Sequence, residues 1–232
     1  MTRLWWVRPE TIRATPEHFA LLDDAERARH GRFLPAEKRH EFLVTRVLVR
    51  TVLGEALGVD PRAVSFTLNR WGRPELSPPG GVRFNVTHTA GLVMVIVSEE
   101  YEVGVDTERL SRAPALLGLA PTVFAPRELR DLGALSPDLQ PDRAVTLWTL
   151  KESYIKARGM GMALALDGFA FRFDATGVEL EVDPGLHDDG SRWQFCCLTL
   201  GQHRVSAAIG CPAGTAVSVE VTEAPWRLLR GG

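Results

Sequence analysis

An α+β fold is the class this sequence predicts. Two long stretches with helical periodicity, residues 36–57 and 142–158, stand in separate halves of the chain, and each ends at a glycine, Gly58 and Gly159. Short strand-like apolar runs cluster after each stretch, so each half reads as helices packed on a largely antiparallel sheet. At 232 residues the chain suits one large domain or two small ones.

Taken in order, residues 4–7 form a first strand, ended by Pro9. Residues 16–31 are polar and periodic, with Pro16 in the first turn and Gly31 after the last, and predict one helix. In the helix over 36–57, Phe42, Leu43, Val47, Leu48, Val49, Val52, Leu53 and Leu57 make a broad apolar face. Strands are expected at 64–68, 82–85, 91–98 and 103–106, with residues 69–74 as a loop. Residues 113–126 fit either a short helix or a loop. Pro126 can open another helix, and 142–158 is the second strong one. The remainder is strand-rich, at 169–173, 178–182, 193–200, 204–209 and 216–221, with a polar loop over 183–191.

Composition excludes several classes. Hydrophobic residues are 45% and charged residues 24%, ordinary for a globular protein. A net charge of -2 argues against a general nucleic-acid surface. Between Arg27 and Arg50, however, seven Arg/Lys face two Glu, a local basic stretch suited to one anionic ligand. No apolar run nears the ~20 residues of a membrane span. The first residues lack the apolar core of a signal peptide, which makes the cytoplasm the expected compartment. Cys196, Cys197 and Cys211 are too few and too clustered for a disulfide framework and are expected as buried free thiols. Cys196 and Cys197, adjacent on a strand, point to opposite faces and make poor metal partners.

Four motifs carry chemistry. In Gly104-Val105-Asp106-Thr107-Glu108, the two acids are two residues apart and share a strand face. Close carboxylates repel unless a cation lies between them, and Mg²⁺ suits all-oxygen ligands. Alone, the pair equally fits an exposed strand end. Glu152 and Lys156 are i and i+4 on one helical face, with Trp148 a turn earlier; they fit a surface ion pair or a third carboxylate with its cation. The run Asn85-Val86-Thr87-His88-Thr89-Ala90-Gly91 fits a phosphate-binding turn with His88 as donor, or a structural histidine. Arg46, Arg50, Arg70 and Arg73 offer guanidinium forks for phosphate, or snorkel from packed elements.

Together and in this order, the motifs resemble the Sfp-type phosphopantetheinyl transferase family. The resemblance rests on Gly72-Arg73-Pro74, on FNVTHT at 84–89, on GVDTE at 104–108, and on WTLKESYIKARGMG at 148–161. The last fits the family pattern W-x-x-K-E-[SA]-[FY]-x-K-x-x-G, and the layout is followed from about residue 20 to 210. The resemblance implies two similar α+β subdomains, residues 1–102 and 103–232, related by a pseudo-twofold with the active site in the cleft between them. It implies transfer of the 4'-phosphopantetheine group of coenzyme A to a serine of an acyl or peptidyl carrier protein by a monomer that needs neither nucleic acid nor membrane.

By the same resemblance Asp106, Glu108 and Glu152 hold Mg²⁺. Thr87, His88, Lys151 and Lys156 hold the phosphates of coenzyme A, Arg46 and Arg73 add contacts, and Arg29 and Arg39 extend the basic wall. Glu152 is the expected base, Lys156 steadies the leaving phosphate, and His88 assists. This chain has Thr87 and Thr89 where the family often has Ser, which keeps the hydroxyl. It has Thr107 where the family often has Ile or Val, harmless if Thr107 faces away from the metal. Leu116, Leu117, Leu119, Val123 and Phe124 are expected to offer the carrier an apolar surface. A Mg²⁺-dependent phosphodiesterase or nucleotidyl transferase and a non-catalytic coenzyme A-binding protein share parts of this pattern. The first would act without a carrier, and the second has no need of three metal-facing acids.

Overall fold

The computed structural model describes residues 1–175 and 177–224. In chain order the first elements are β1 (Thr2–Val7), α1 (Pro16–Ala20), α2 (Asp24–Arg32), α3 (Ala36–Leu57), β2 (Phe66–Leu68), β3 (Pro74–Leu76), β4 (Arg83–Thr89) and β5 (Leu92–Ser98). There follow β6 (Glu102–Arg109), α4 (Ala113–Val123), α5 (Pro126–Ala134), α6 (Gln140–Arg158), β7 (Phe169–Asp174), β8 (Gly177–Val182), β9 (Trp193–Leu200), β10 (His203–Gly210) and β11 (Val219–Glu223).

The chain divides into two compact units. The first holds residues 1–69 and 74–100 and regains the chain at Val219; the second holds 70–73 and 101–218. The change of unit falls beside the expected division at residue 102, and the grouping differs from it at two places. Residues 70–73 go with the second unit. Strand β11 returns to the first, where it lies parallel to β1, from Thr2 opposite Val219 to Trp6 opposite Glu223. Residues 225–232, assigned with the second half, lie outside the described residues.

In the first unit the sheet runs β11-β1-β5-β4, and α3 packs on it. Leu43, Val47, Leu48, Val52 and Leu53 of α3 meet Trp5, Phe84, Val93, Val95 and Val97. Each such side chain contributes ~1.5–3 kcal/mol by leaving water. Gly58 caps α3 in the left-handed region at φ 67°. The single helix expected over 16–31 is two helices. Asp23 opens the second: its carboxylate accepts from the Glu26 amide at 2.8 Å, and Glu26 accepts from the Asp23 amide at 3.1 Å. This capping box was present in the sequence as Asp23-Asp24-Ala25-Glu26, and it outweighs continuous periodicity. Gly31, read as a stop, lies inside α2.

In the second unit the sheet is β6-β10-β9, antiparallel throughout, with α6 across β6 and β10. Residues 113–126, undecided from sequence, are helical through Val123. Leu116 and Phe124 are core residues there, Leu117 and Val123 pack at its edge, and Leu119 is exposed. The expected apolar docking face is thus corrected: its largest members face inward because α4 packs on α6. Cys196, Cys197 and Cys211 are free, but only Cys211 is fully buried. Cys197 lies opposite Ser206 and Cys196 opposite Ala207, on the two faces of β9. Among the described residues, no helix is long and apolar enough to cross a membrane.

Candidate active site

The acidic motif lies on β6, and α6 crosses it at Gly104. A Cβ at Gly104 would stand 2.1 Å from the Ser153 carbonyl oxygen and 2.4 Å from the Ala157 amide nitrogen. Only glycine permits that approach. Strand alternation then points Asp106 and Glu108 toward the same helix. The register agrees: Ser206, opposite Asp106, bonds Thr149 of α6 at 2.8 Å, hydroxyl to hydroxyl. Thr107 faces the other way and donates to the Arg204 carbonyl at 3.2 Å.

Lys156 donates to Asp106 Oδ1 at 2.6 Å. Glu152, one turn earlier, stands near both. Burial, and then the Asp106 charge, push its carboxyl above the usual range, while Lys156 opposes the rise. Glu108 sits at the rim: Oε1 accepts from the Arg109 amide at 2.9 Å, and Oε2 is 3.4 Å from Arg112 Nε. The three carboxylates share one face, yet no three Asp, Glu, His or Cys side chains among the described residues are gathered closely enough to hold one ion.

Lys151 is a correction. Expected on phosphate, it is wholly buried, and its three N–H donors are used within the protein. They go to Leu166 O at 2.7 Å, Phe169 O at 2.8 Å and Glu128 Oε2 at 2.9 Å. Glu128 also accepts from the amides of Ala125 and Phe171. Burial pushes the Lys151 ammonium down and the Glu128 carboxyl up, each resisted by the other's charge. The rest of the α6 motif is similarly divided. The hydroxyl of Tyr154 donates to Asp188 at 2.7 Å, Arg158 pairs with Asp188 at 2.6 Å, and Gly159 caps the helix at φ 63°.

In the first unit, His88 at the end of β4 reaches Glu41 of α3, Nδ1 to Oε1 at 2.8 Å. Thr87 is buried and, one residue earlier, points to the other face. The two side chains therefore project from opposite faces of β4. Arg46 is also corrected. It pairs with Glu26, lies over the Phe66 ring at 4.7 Å and belongs to a cluster with Arg50, which holds Asp23 at 2.6 Å and Glu26 at 2.7 Å. Guanidinium groups in an apolar helix need carboxylate partners, and Glu26 of α2 with its cap residue Asp23 supplies them. Arg29 lies over Phe42 at 5.5 Å, and both Arg29 and Arg39 remain exposed. Arg73 of the second unit donates to Ala157 O at 2.7 Å and to Val103 O at 3.4 Å. It satisfies a carbonyl left open in the last turn of α6, a structural use beside the role on phosphate expected of it.

Two family models match the chain in succession. The model described as 4'-phosphopantetheinyl transferase, N-terminal covers residues 10–101, and that of the 4'-phosphopantetheinyl transferase superfamily covers 102–209. A 4'-phosphopantetheinyl transferase of Bacillus subtilis is 32% identical over 179 residues, 77% of this chain and 79% of its own length. The chain belongs to the 4'-phosphopantetheinyl transferase family. The transferase Sfp of Bacillus subtilis strain 168 is 30% identical over 193 residues, 77% of this chain and 85% of its own. A likeness to the holo-[acyl-carrier-protein] synthase of Neisseria meningitidis, with TM-score 0.41 and 21% identity over 47% of this chain and 95% of that one, is too low to add weight.

For this transferase, a hard divalent cation fits the chemistry of the donors on β6 and α6, which are all carboxylate oxygens. Asp106 and Glu152 already destabilise each other as anions, and Asp106 already holds a cation, the Lys156 ammonium. Glu108 joins them only by leaving Arg112. Sequence reading missed three partners in this transferase: Glu41, Glu128 and Asp188. Asp188 accepts from Tyr154, Trp193 and Arg158, although the loop that carries it read as merely polar. Its neighbours Asp183 and Asp189 cap short turns, so no local pattern sets it apart.

Proposed function

We propose that this transferase moves the 4'-phosphopantetheine group of coenzyme A onto a serine of an acyl or peptidyl carrier protein and releases 3',5'-ADP. Family membership supports the reaction. The constellation of Asp106, Lys156 and Glu152 against Gly104 is the observation that carries the site.

Asp106 and Glu152, with Glu108 turned from Arg112, would hold Mg²⁺. Bound there, the ion supplies charge neutralisation for the pyrophosphate oxygens. The chain's own residues do the rest. Glu152 accepts the serine proton as the hydroxyl oxygen bonds to the β-phosphorus, and the bond from that phosphorus to the oxygen bridging to 3',5'-ADP breaks. Lys156, partly exposed beside Asp106, supplies positive charge to the departing phosphate. In the first unit, His88 and the exposed Arg29 and Arg39 are the donors and charges proposed for phosphate. The free thiols agree with a reducing compartment such as the cytoplasm.

The test is intact-mass spectrometry of an apo carrier protein incubated with this chain, coenzyme A and Mg²⁺. A gain of one phosphopantetheine unit, lost with EDTA and with Glu152→Ala, is expected. No gain across several carriers despite measurable coenzyme A binding would overturn the reading.

A further inference from the structure

Arg204 of β10 stands directly opposite Glu108 of β6, on the sheet face that also carries Asp106 and Ser206 and is turned to α6. Residues so opposed have Cβ atoms ~4.5–5.5 Å apart, and their side chains are neighbours. The Arg204 side chain is only 16% exposed, and its Nη2 is held by the carboxylate of Asp142, in the first turn of α6. Its Nε–H is closed off from solvent and has no hydrogen-bond partner among the described residues. A buried donor left unbonded is costly, so an acceptor is due there. Thr199, the neighbour of Arg204 on β9, is exposed and offers a hydroxyl without charge. Glu108 offers a carboxylate, the stronger acceptor for a guanidinium, and is 17% exposed. Its Oε2 is turned instead to Arg112, whose side chain is half exposed, and an exposed pair of that kind is readily exchanged.

We infer that Arg204 is a positioning residue for this transferase: its Nε–H takes the Glu108 carboxylate when Glu108 leaves Arg112 to join Asp106 and Glu152 on a divalent cation. The inference rests on the reading of Glu108 as a metal ligand. Arg204 itself touches neither metal nor substrate. Carboxylates that ligate metals are hydrogen-bonded in turn, and that bond sets their direction. Asp142 fixes the guanidinium from α6, so the donor is in place before the cation arrives. Charge alone works the other way, because a guanidinium beside the site repels a cation. Loss of positioning and loss of repulsion therefore change metal affinity in opposite directions.

Mn²⁺ binding to the full chain, read as loss of the free-ion EPR signal, tests this with Arg204→Met, Arg204→Lys, Glu108→Gln and the double variant Arg204→Met/Glu108→Gln. Circular dichroism identifies the temperature at which each is folded. Arg204→Met is expected to weaken Mn²⁺ binding about tenfold. Arg204→Lys keeps the charge and can still pair with Asp142, but lacks the Nε–H, and should show most of the same loss. It also carries the comparison if Arg204→Met does not fold. In the Glu108→Gln background, Arg204→Met should cost little more. Tighter Mn²⁺ binding in Arg204→Met would mean repulsion alone and would overturn the positioning role. Parent-like affinity in Arg204→Lys would overturn it too, as would a loss that persists in full beside Glu108→Gln. Affinity unchanged by Glu108→Gln itself would remove the reading of Glu108 as a ligand, and this inference with it, leaving the transfer reaction untouched.

Discussion

Gly104 of β6 lies directly against Ser153 of α6, with room for no side chain between them: a Cβ would meet the Ser153 carbonyl oxygen at 2.1 Å. The contact sets the distance at which Glu152 and Lys156 face Asp106. The hydroxyl pair of Thr149 and Ser206 pins the same two elements further along. Gly104→Ala should therefore separate β6 from α6 and lower stability by about 3 kcal/mol or more, since the clash is with backbone that cannot rotate away. Urea denaturation checks this; a loss under about 1 kcal/mol would show that α6 shifts freely.

Lys151 and Glu128 form a buried pair, and its members bridge α6, α5 and β7. Lys151→Met leaves the Glu128 carboxyl buried without its cation, and should cost about 3–5 kcal/mol. At a temperature where the variant is still folded, its KM for coenzyme A should match the parent's. Normal stability with a raised KM would return Lys151 to the ligand site.

Asp188 sets an acid limit on stability. Burial alone would raise its carboxyl, but the Tyr154 hydroxyl, the Trp193 indole and Arg158 outweigh burial and hold it below the usual carboxylate range. A carboxyl depressed in the folded state contributes stability above its unfolded value of about 3.9 and loses it as pH falls through the folded value. Asp188→Asn should thus cost about 2–4 kcal/mol at pH 7, with the gap to the parent closing below about pH 4. Thermal melts across pH 3–7, flanking that value of about 3.9, make the comparison. A gap constant across pH would mean that Asp188 acts through shape and not charge.

Lys156 is the cation paired with Asp106. Lys156→Met removes the Asp106 partner and the charge offered to the leaving phosphate. Carrier modification followed by mass should slow about 10²-fold or more. An unchanged rate would assign the ammonium a purely structural part.

Much of this protein was legible in its sequence. Apolar periodicity and the closing glycines Gly58 and Gly159 located α3 and α6 nearly to the residue, because helix period and left-handed caps are local properties. The pattern of residues 148–161 pointed to the family. Local reading failed where a competing local signal was passed over, as with the Asp23–Glu26 box that splits residues 16–31. It failed again where a partner came from far along the chain, as with β11, which pairs with β1 across more than two hundred positions.

What tertiary structure alone decided is the direction of each functional side chain. Successive residues on a helix turn by about 100°, so Lys151 and Glu152, adjacent in the motif, face different neighbours. Which neighbour each one meets depends on where β6 and α5 lie around α6, and Gly104 sets the first of these. The sequence by itself determined the two long helices, the family and the charged residues at hand. Packing decided that Lys151, Arg46 and Arg73 hold the protein together, while Asp106, Glu152 and Lys156 meet at one face. Both outcomes have one physical cause. A charge enclosed by apolar surface needs a bonded partner, and only the folded chain determines which charges are enclosed.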